Sequence, residues 1–187
     1  MNLTPTYYFI ADVESIGLHG EGFAAAYVVL DREFNSIESA CFACSPDAAN
    51  GDASDRNWIA DMLKKLSDQS QSIVLNCATP QAVRQQLFSA WLQWREKGAG
   101  FFADCSWPVE ANFLSSAMAE NIAQYGEPAK WQGPYPVVDI MTLEFTALYR
   151  NPSFVSPIRD EQQYALHHPL HDAQFSGQRL KAFLANK

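Results

Sequence analysis

The sequence predicts an α/β domain built around a single sheet, and three observations predict it. Three apolar segments follow one another directly: Tyr7 to Ala11, Phe23 to Leu30 and Ser36 to Ser45. After them, stretches with helical spacing alternate with two shorter apolar runs, the order expected of one sheet covered by helices. The first run is continuous and ends at a glycine turn, so it reads as a central strand buried on both faces.

The elements follow in order. Tyr7-Tyr8-Phe9-Ile10-Ala11 leads into Asp12-Val13-Glu14-Ser15-Ile16-Gly17, and a polar, glycine-bearing turn runs from Leu18 to Gly22. The second and third strands flank the turn Asp31 to Asn35 and read as a hairpin. Pro46 to Asn57 is small, polar and acidic, a surface loop. Trp58, Ile59, Met62, Leu63 and Leu66 keep helical spacing, so a short amphipathic helix lies there, and Ser67 to Ser72 is a connector. Thr79 followed by Pro80 is a helix start, and Val83, Leu87, Trp91 and Trp94 mark a core face up to a stop at Gly98. Gly100 to Cys105 is a fourth strand containing Asp104. Pro108 opens a helix with Val109, Phe113, Leu114, Ala117, Met118, Ile122 and Tyr125 on one face. Pro136-Val137-Val138 is a fifth strand, leading through Asp139 into a helix from Ile140 to about Tyr149. Residues 151–164 form an exposed loop, and a last helix starts near Pro169 with Leu170, Ala173, Gly177, Leu180 and Leu184 inside.

Composition bounds the function. A chain of 187 residues with 48% apolar and 18% charged residues supports one globular domain over its whole length, residues 1–187, with a proper core. No apolar run is long enough to span a bilayer, and the amino terminus carries no pattern of a secretory signal, so a cytoplasmic protein without a membrane partner is expected. Cys41-Phe42-Ala43-Cys44 has the spacing of a redox motif or half a zinc site, but no second pair accompanies it. Cys41, Cys44, Cys77 and Cys105 therefore read as buried free thiols on strands. A net charge of −8 argues against a long basic groove for nucleic acid, while leaving room for an enzyme that grips only a strand end through bound metals.

Three acidic positions carry chemistry. Side chains two apart on a strand share a face, so Asp12 and Glu14 lie side by side at the end of the central strand. Neighbouring carboxylates away from water repel and call for a compensating charge, which a hard divalent cation supplies with oxygen ligands. Glu110 comes early in its helix, one turn before Phe113 and Leu114, on the core side. Asp104, at the carboxyl end of the fourth strand, competes with it for the next acidic position. Last comes Leu166-His167-His168-Pro169-Leu170-His171-Asp172-Ala173, in which His167 lies on the approach to a helix and Asp172 in its first turn.

This ordered set resembles the DEDD superfamily of 3′–5′ exonucleases, in the histidine-bearing branch that includes proofreading subunits, oligoribonuclease and RNase T. The resemblance covers nearly the whole chain. Phe9-Ile10-Ala11-Asp12-Val13-Glu14 resembles the first motif, with Ser15 where threonine is more usual. Val137-Val138-Asp139-Ile140-Met141-Thr142-Leu143 resembles the strand–Asp–Thr–Leu segment between the second and third motifs, and His167 with Asp172 fits the third. The second motif departs. The family has an Asn-x-x-Phe-Asp run followed by a Phe-Leu pair. Here Trp107-Pro108-Val109-Glu110-Ala111-Asn112-Phe113-Leu114 aligns Glu110, rather than Asp104, with the aspartate.

The resemblance implies an RNase H-like fold, a five-stranded mixed sheet flanked by helices. It implies two divalent cations, Mg²⁺ or Mn²⁺, held by Asp12, Glu14, Glu110 and Asp172, with His167 taking a proton from the attacking water. The expected substrate is the 3′ end of single-stranded or short DNA or RNA, and the expected product a nucleoside 5′-monophosphate. Ser15, Ile16, Gly17 and Leu18 match the family segment that contacts the terminal nucleotide, and Phe154 offers a ring to stack a base. A homodimer is implied in the same way. Two alternatives stand beside this reading. One is a catalytically weak or silent scaffold that binds nucleic-acid ends or a protein partner; the other is a small-nucleotide phosphodiesterase.

Overall fold

The computed structural model describes residues 5–185. Five strands form one mixed sheet in the order β3-β2-β1-β4-β5. They are β1 (Tyr7–Ser15), β2 (Gly22–Leu30), β3 (Ser36–Ala43), β4 (Ala99–Ala103) and β5 (Val137–Asp139). β1 is central: it pairs antiparallel with β2 and parallel with β4, and β4 pairs parallel with β5. Five α-helices cover the sheet: α1 (Ala53–Asp68), α2 (Pro80–Glu96), α3 (Ala111–Tyr125), α4 (Ile140–Arg150) and α5 (Pro169–Ala185).

The alternation along β1 divides the core. Phe9, Ala11 and Val13 point to the layer containing α1, α2 and α3, while Tyr8 and Ile10 point to α4 and α5. On the first face Phe9 stacks on Tyr27 at 4.7 Å and on Phe101 at 5.3 Å, with Trp91 edge-on to Phe9 at 5.8 Å. Phe9 is fully buried, so truncating it to alanine forfeits about 3–5 kcal/mol. On the second face α5 comes close because residue 177 is glycine. A Cβ there would meet Leu30 Cδ1 at 2.8 Å and Ile10 Cδ1 at 3.4 Å. That close approach sets the first turn of α5 against the carboxyl end of β1.

Several boundaries differ from those read in the sequence. α1 begins at Ala53, five residues before the apolar spacing starts, because its first turn is polar and held by Arg56, whose guanidinium donates to the Pro46 and Ala49 carbonyls. α3 begins after Glu110, not at Pro108. Residue 107 precedes a proline and is extended (φ −132°, ψ 138°), so residues 106–110 form an irregular turn. The cysteines are not all buried on strands. Cys41 is half-buried on β3 and Cys44 buried just beyond it, but Cys77 lies in the segment before α2 and Cys105 is exposed. Burial raises the Cys41 thiol to about 11, which keeps it protonated and unreactive.

Candidate active site

The even-numbered face of β1 runs Tyr8, Ile10, Asp12, Glu14. Its apolar half lies under α5, and its acidic half continues past the end of β4, whose last partner on β1 is Ala11. Asp12 and Glu14 stay paired to β2 opposite Ala26 and Ala24, so the backbone is fixed while the carboxylates face an opening. Both are 9% exposed. The opening is a cleft of about 580 Å³ lined by Asp12, Glu14, Glu110, Asp172, His167 and Arg159, among others.

Asp172 enters from the first turn of α5. Ligand atoms of Glu14, His167 and Asp172 lie within 4.8 Å of one another, close enough to share one metal ion. His167 Nδ1 is 3.8 Å from Glu14 Oε1. His167 has a left-handed backbone (φ 63°), uncommon for a residue with a side chain, and its ring meets Trp58 edge-on at 4.9 Å. Glu110 enters from the irregular turn before α3 and is 6% exposed. That turn is held from outside: Asp139 accepts from the Ser106 amide at 2.7 Å and hydroxyl at 2.9 Å, and from the Thr142 amide at 2.6 Å as the cap of α4. Asp139 therefore positions the segment that carries Glu110. Sequence reasoning noted this aspartate without assigning it that work, because the pairing spans 33 residues.

Asp104 also lines the cleft, but Arg179 of α5 binds it and Glu144 of α4 together. Its charge is already matched inside the fold. Glu110 has no such ion pair among the described residues.

The electrostatics point one way. Burial, then repulsion from Asp172, Glu14, Glu110 and Asp104, raises Asp12 well above the usual carboxylate range. Glu14 is raised well above it by burial, then by Asp172 and Glu110. Burial lifts Glu110 to about 7, and lifts Asp172 despite the opposing Arg159. Four buried carboxyl groups that cannot all ionise together fit divalent cations, whose charge removes the repulsion and whose coordination takes oxygen donors.

A measurement follows from the sign of these shifts. A carboxyl group with a raised folded pKa contributes stability that is fully present below its unfolded value, about 4, and is lost as pH rises through the folded value. For Glu110 that loss runs from about pH 4 to about pH 7, and for Asp12 and Glu14 it starts at the same place and continues to their raised values. His167, His168 and His171 are depressed by burial and contribute the opposite slope below about pH 6.5. The difference between melting temperatures in Mn²⁺ and in EDTA cancels much of the histidine contribution. It is expected to widen steadily from pH 5 to pH 8. A difference that is flat across that range would contradict a cation bound by these carboxylates.

The rim of the cleft joins Gly17 and Leu18, which the sequence put forward, to Trp58 and Trp107, which it did not. Trp58 keeps helical spacing with Ile59, Met62 and Leu66, yet it is 50% exposed and turned to the cleft while those three are buried. Trp107 and Leu18 are more exposed still and line the cleft from other elements, and Gly17 joins them. Gly17 takes a left-handed backbone (φ 71°), and a Cβ there would overlap Asp55 Oδ2 at 2.1 Å. Ser15 is buried, with its hydroxyl donating to the Gly17 carbonyl at 2.5 Å. Ile16 is 1% exposed and packs in the core under Gly51. Phe154 does not offer a stacking face: it is 4% exposed. Arg159, eight residues before His167 in the loop, is a further cleft residue with no signal in the sequence. Nothing in its spacing announced it.

No family model matches the chain, and no curated protein matches it. Among solved structures, a chain of the ExoI/SSB-Ct complex is similar over 97% of this chain, with a TM-score of 0.60 at 14% identity. This chain spans 43% of that one. The likeness is one of fold, an RNase H-like α/β arrangement with a five-stranded mixed sheet flanked by helices.

Proposed function

We propose that the chain is a metal-dependent 3′–5′ exonuclease of the histidine-bearing DEDD type. It acts on the 3′ end of single-stranded or short nucleic acid and releases nucleoside 5′-monophosphates. The observation that carries this reading is the convergence of Asp12, Glu14, Glu110 and Asp172, from three separate elements, on one cleft shared with His167.

Those four carboxylates would hold Mg²⁺ or Mn²⁺. Bound there, such ions would screen a phosphodiester's charge and favour ionisation of water. The remaining work belongs to the chain itself. Burial lowers the His167 pKa, so its imidazole is neutral at pH 7 and able to accept a proton from the attacking water. Trp58 fixes the ring edge-on. Gly17 and Leu18 line the approach for the terminal nucleotide, with Ser15 and Ile16 holding their backbone from below. A gel assay on 5′-labelled single-stranded DNA and RNA with Mg²⁺ or Mn²⁺ tests the reading. A ladder shortening from the 3′ end, absent in EDTA, supports it, and intact polymers under every condition would overturn it.

One observation favours the second reading, a scaffold of weak activity. Asp172 is already paired with Arg159, so one of the four acids is partly satisfied without a cation. Mn²⁺ calorimetry separates the two, since the scaffold reading expects no heat at millimolar metal.

A homodimer is part of the proposal, with α4 as its contact. Met141, Phe145, Leu148 and Tyr149 form an exposed apolar stripe at spacings of four and three, and Tyr149 is 84% exposed. A second copy covering this stripe removes it from water. Phe145→Glu is expected to shift the protein to monomer in sedimentation velocity, and a monomeric parent would refute the contact. Among the described residues no helix is long and apolar enough to cross a membrane.

A further inference from the structure

Three arginines form partly buried ion pairs, and one differs from the other two. Arg84 binds Glu21 at 2.7 Å and Glu120 at 2.6 Å, tying the β1–β2 turn to α2 and α3. Arg179 binds Glu144 and Asp104, tying α5 to α4 and to the end of β4. Each cation faces two carboxylates and works inside the scaffold. Arg159 instead binds one carboxylate, that of Asp172, and its guanidinium faces the cleft. Among the described residues lining that cleft it is the one permanently charged cation, against six carboxylates: Asp12, Glu14, Asp55, Asp104, Glu110 and Asp172.

Its mounting is rigid. The guanidinium lies 4.6 Å above the centre of the Phe175 ring, stacked as well as paired. Phe154 is buried before it, and the Ser156 hydroxyl donates to Glu144. Beyond it, Tyr164 accepts from Gln178 at 2.7 Å. A planar fork held on a fixed loop suits bidentate capture of a phosphate. A polyanionic substrate entering this acidic cleft needs such a donor.

We propose that Arg159 is a phosphate-binding residue, held by Asp172 until a cation takes that carboxylate. In the metal-free protein the guanidinium neutralises Asp172. A cation bound there displaces it, and the freed fork then binds a phosphate group of the terminal nucleotide. The proposal rests on the exonuclease reading for the choice of ligand, while its test needs no turnover.

The design predicts opposite effects on two ligands. In Arg159→Met, which keeps a long side chain over Phe175, calorimetry is expected to show Mn²⁺ binding about tenfold tighter without nucleotide. Thymidine 5′-monophosphate, titrated into Mn²⁺-saturated protein, is expected to bind at least about tenfold more weakly. Thymidine, lacking the phosphate, should bind the two proteins equally. Arg159→Lys keeps the charge without the fork, so it should retain the parent's Mn²⁺ affinity and lose part of the nucleotide affinity; it also serves if Arg159→Met does not fold. Weaker binding of both ligands in folded protein would assign Arg159 to holding the site together and overturn the proposal. Unchanged nucleotide affinity in Arg159→Met, or in Arg159→Lys where that variant stands in, would overturn it as well. Parent protein that binds Mn²⁺ and nucleotide but shortens no polymer would sink the exonuclease reading alone, leaving the Arg159 comparison intact.

Discussion

Asp12→Ala is expected to reduce Mg²⁺-dependent shortening of a 5′-labelled oligonucleotide by at least about 10³-fold. Asp12 sits at the centre of the acidic cluster, in range of Asp172, Glu14, Glu110 and Asp104 at once. Removing it takes a ligand from the place where the other three meet. Asp12→Asn separates this loss from a folding defect. In the metal-free protein the Asp12 carboxyl group is buried among like charges, so a neutral isostere removes repulsion and keeps the shape. The asparagine variant should therefore be inactive and yet more stable in EDTA by about 1–2 kcal/mol. At this chain length that is roughly 2–8 °C in melting temperature. Adding Mn²⁺ should erase or reverse the advantage, because the parent then gains a cation that the variant holds poorly. An asparagine variant that melts below the parent in EDTA would mean that Asp12 is structural, and the cluster would need another explanation.

The central strand was legible because burial on both faces leaves a continuous apolar run, and its end was legible because two acids stop that run abruptly. Alternation then did the rest: from Tyr8 and Ile10 on the α5 side, Asp12 and Glu14 had to point the same way. The start of α5 was readable from Pro169, which places Asp172 in its first turn. What the sequence left open turns on contacts distant along the chain. Asp104 and Glu110 are both acids near the end of β4, and locally only the Phe113-Leu114 pair favours Glu110. Arg179, 75 residues beyond Asp104, binds that acid and not Glu110. Asp139 supports the turn of Glu110 in the same nonlocal way.

The aromatic residues misled for a related reason. Trp58 keeps the spacing of a core face, but it lies at the edge of that face, where the helix meets the cleft rather than the sheet. Phe154 sits in a polar, proline-bearing loop and reads as exposed, whereas it is buried. Helical spacing gives the direction of a side chain relative to its own axis. What stands opposite is set by the packing of other elements.

His167→Ala is expected to slow the reaction by about 10²–10⁴-fold, the range for loss of a general base. Burial lowers the His167 pKa, with Asp172 opposing and Arg159 and Lys65 adding to the depression. In the parent the acid limb of kcat/KM should therefore fall below pH 6.5, with activity lost as pH drops and the imidazole takes up its proton. In the alanine variant that limb should vanish, and added imidazole should restore part of the rate. His167→Gly supplies a separate check on folding. Residue 167 has φ 63°, a conformation that glycine adopts without the cost a side chain incurs, roughly 1 kcal/mol. The glycine variant should be as slow as the alanine variant while being the more stable of the two. If alanine and glycine variants both kept the parent's acid limb, the proton would be taken by another group, and the neutral imidazole beside Glu14 would have a positioning role only.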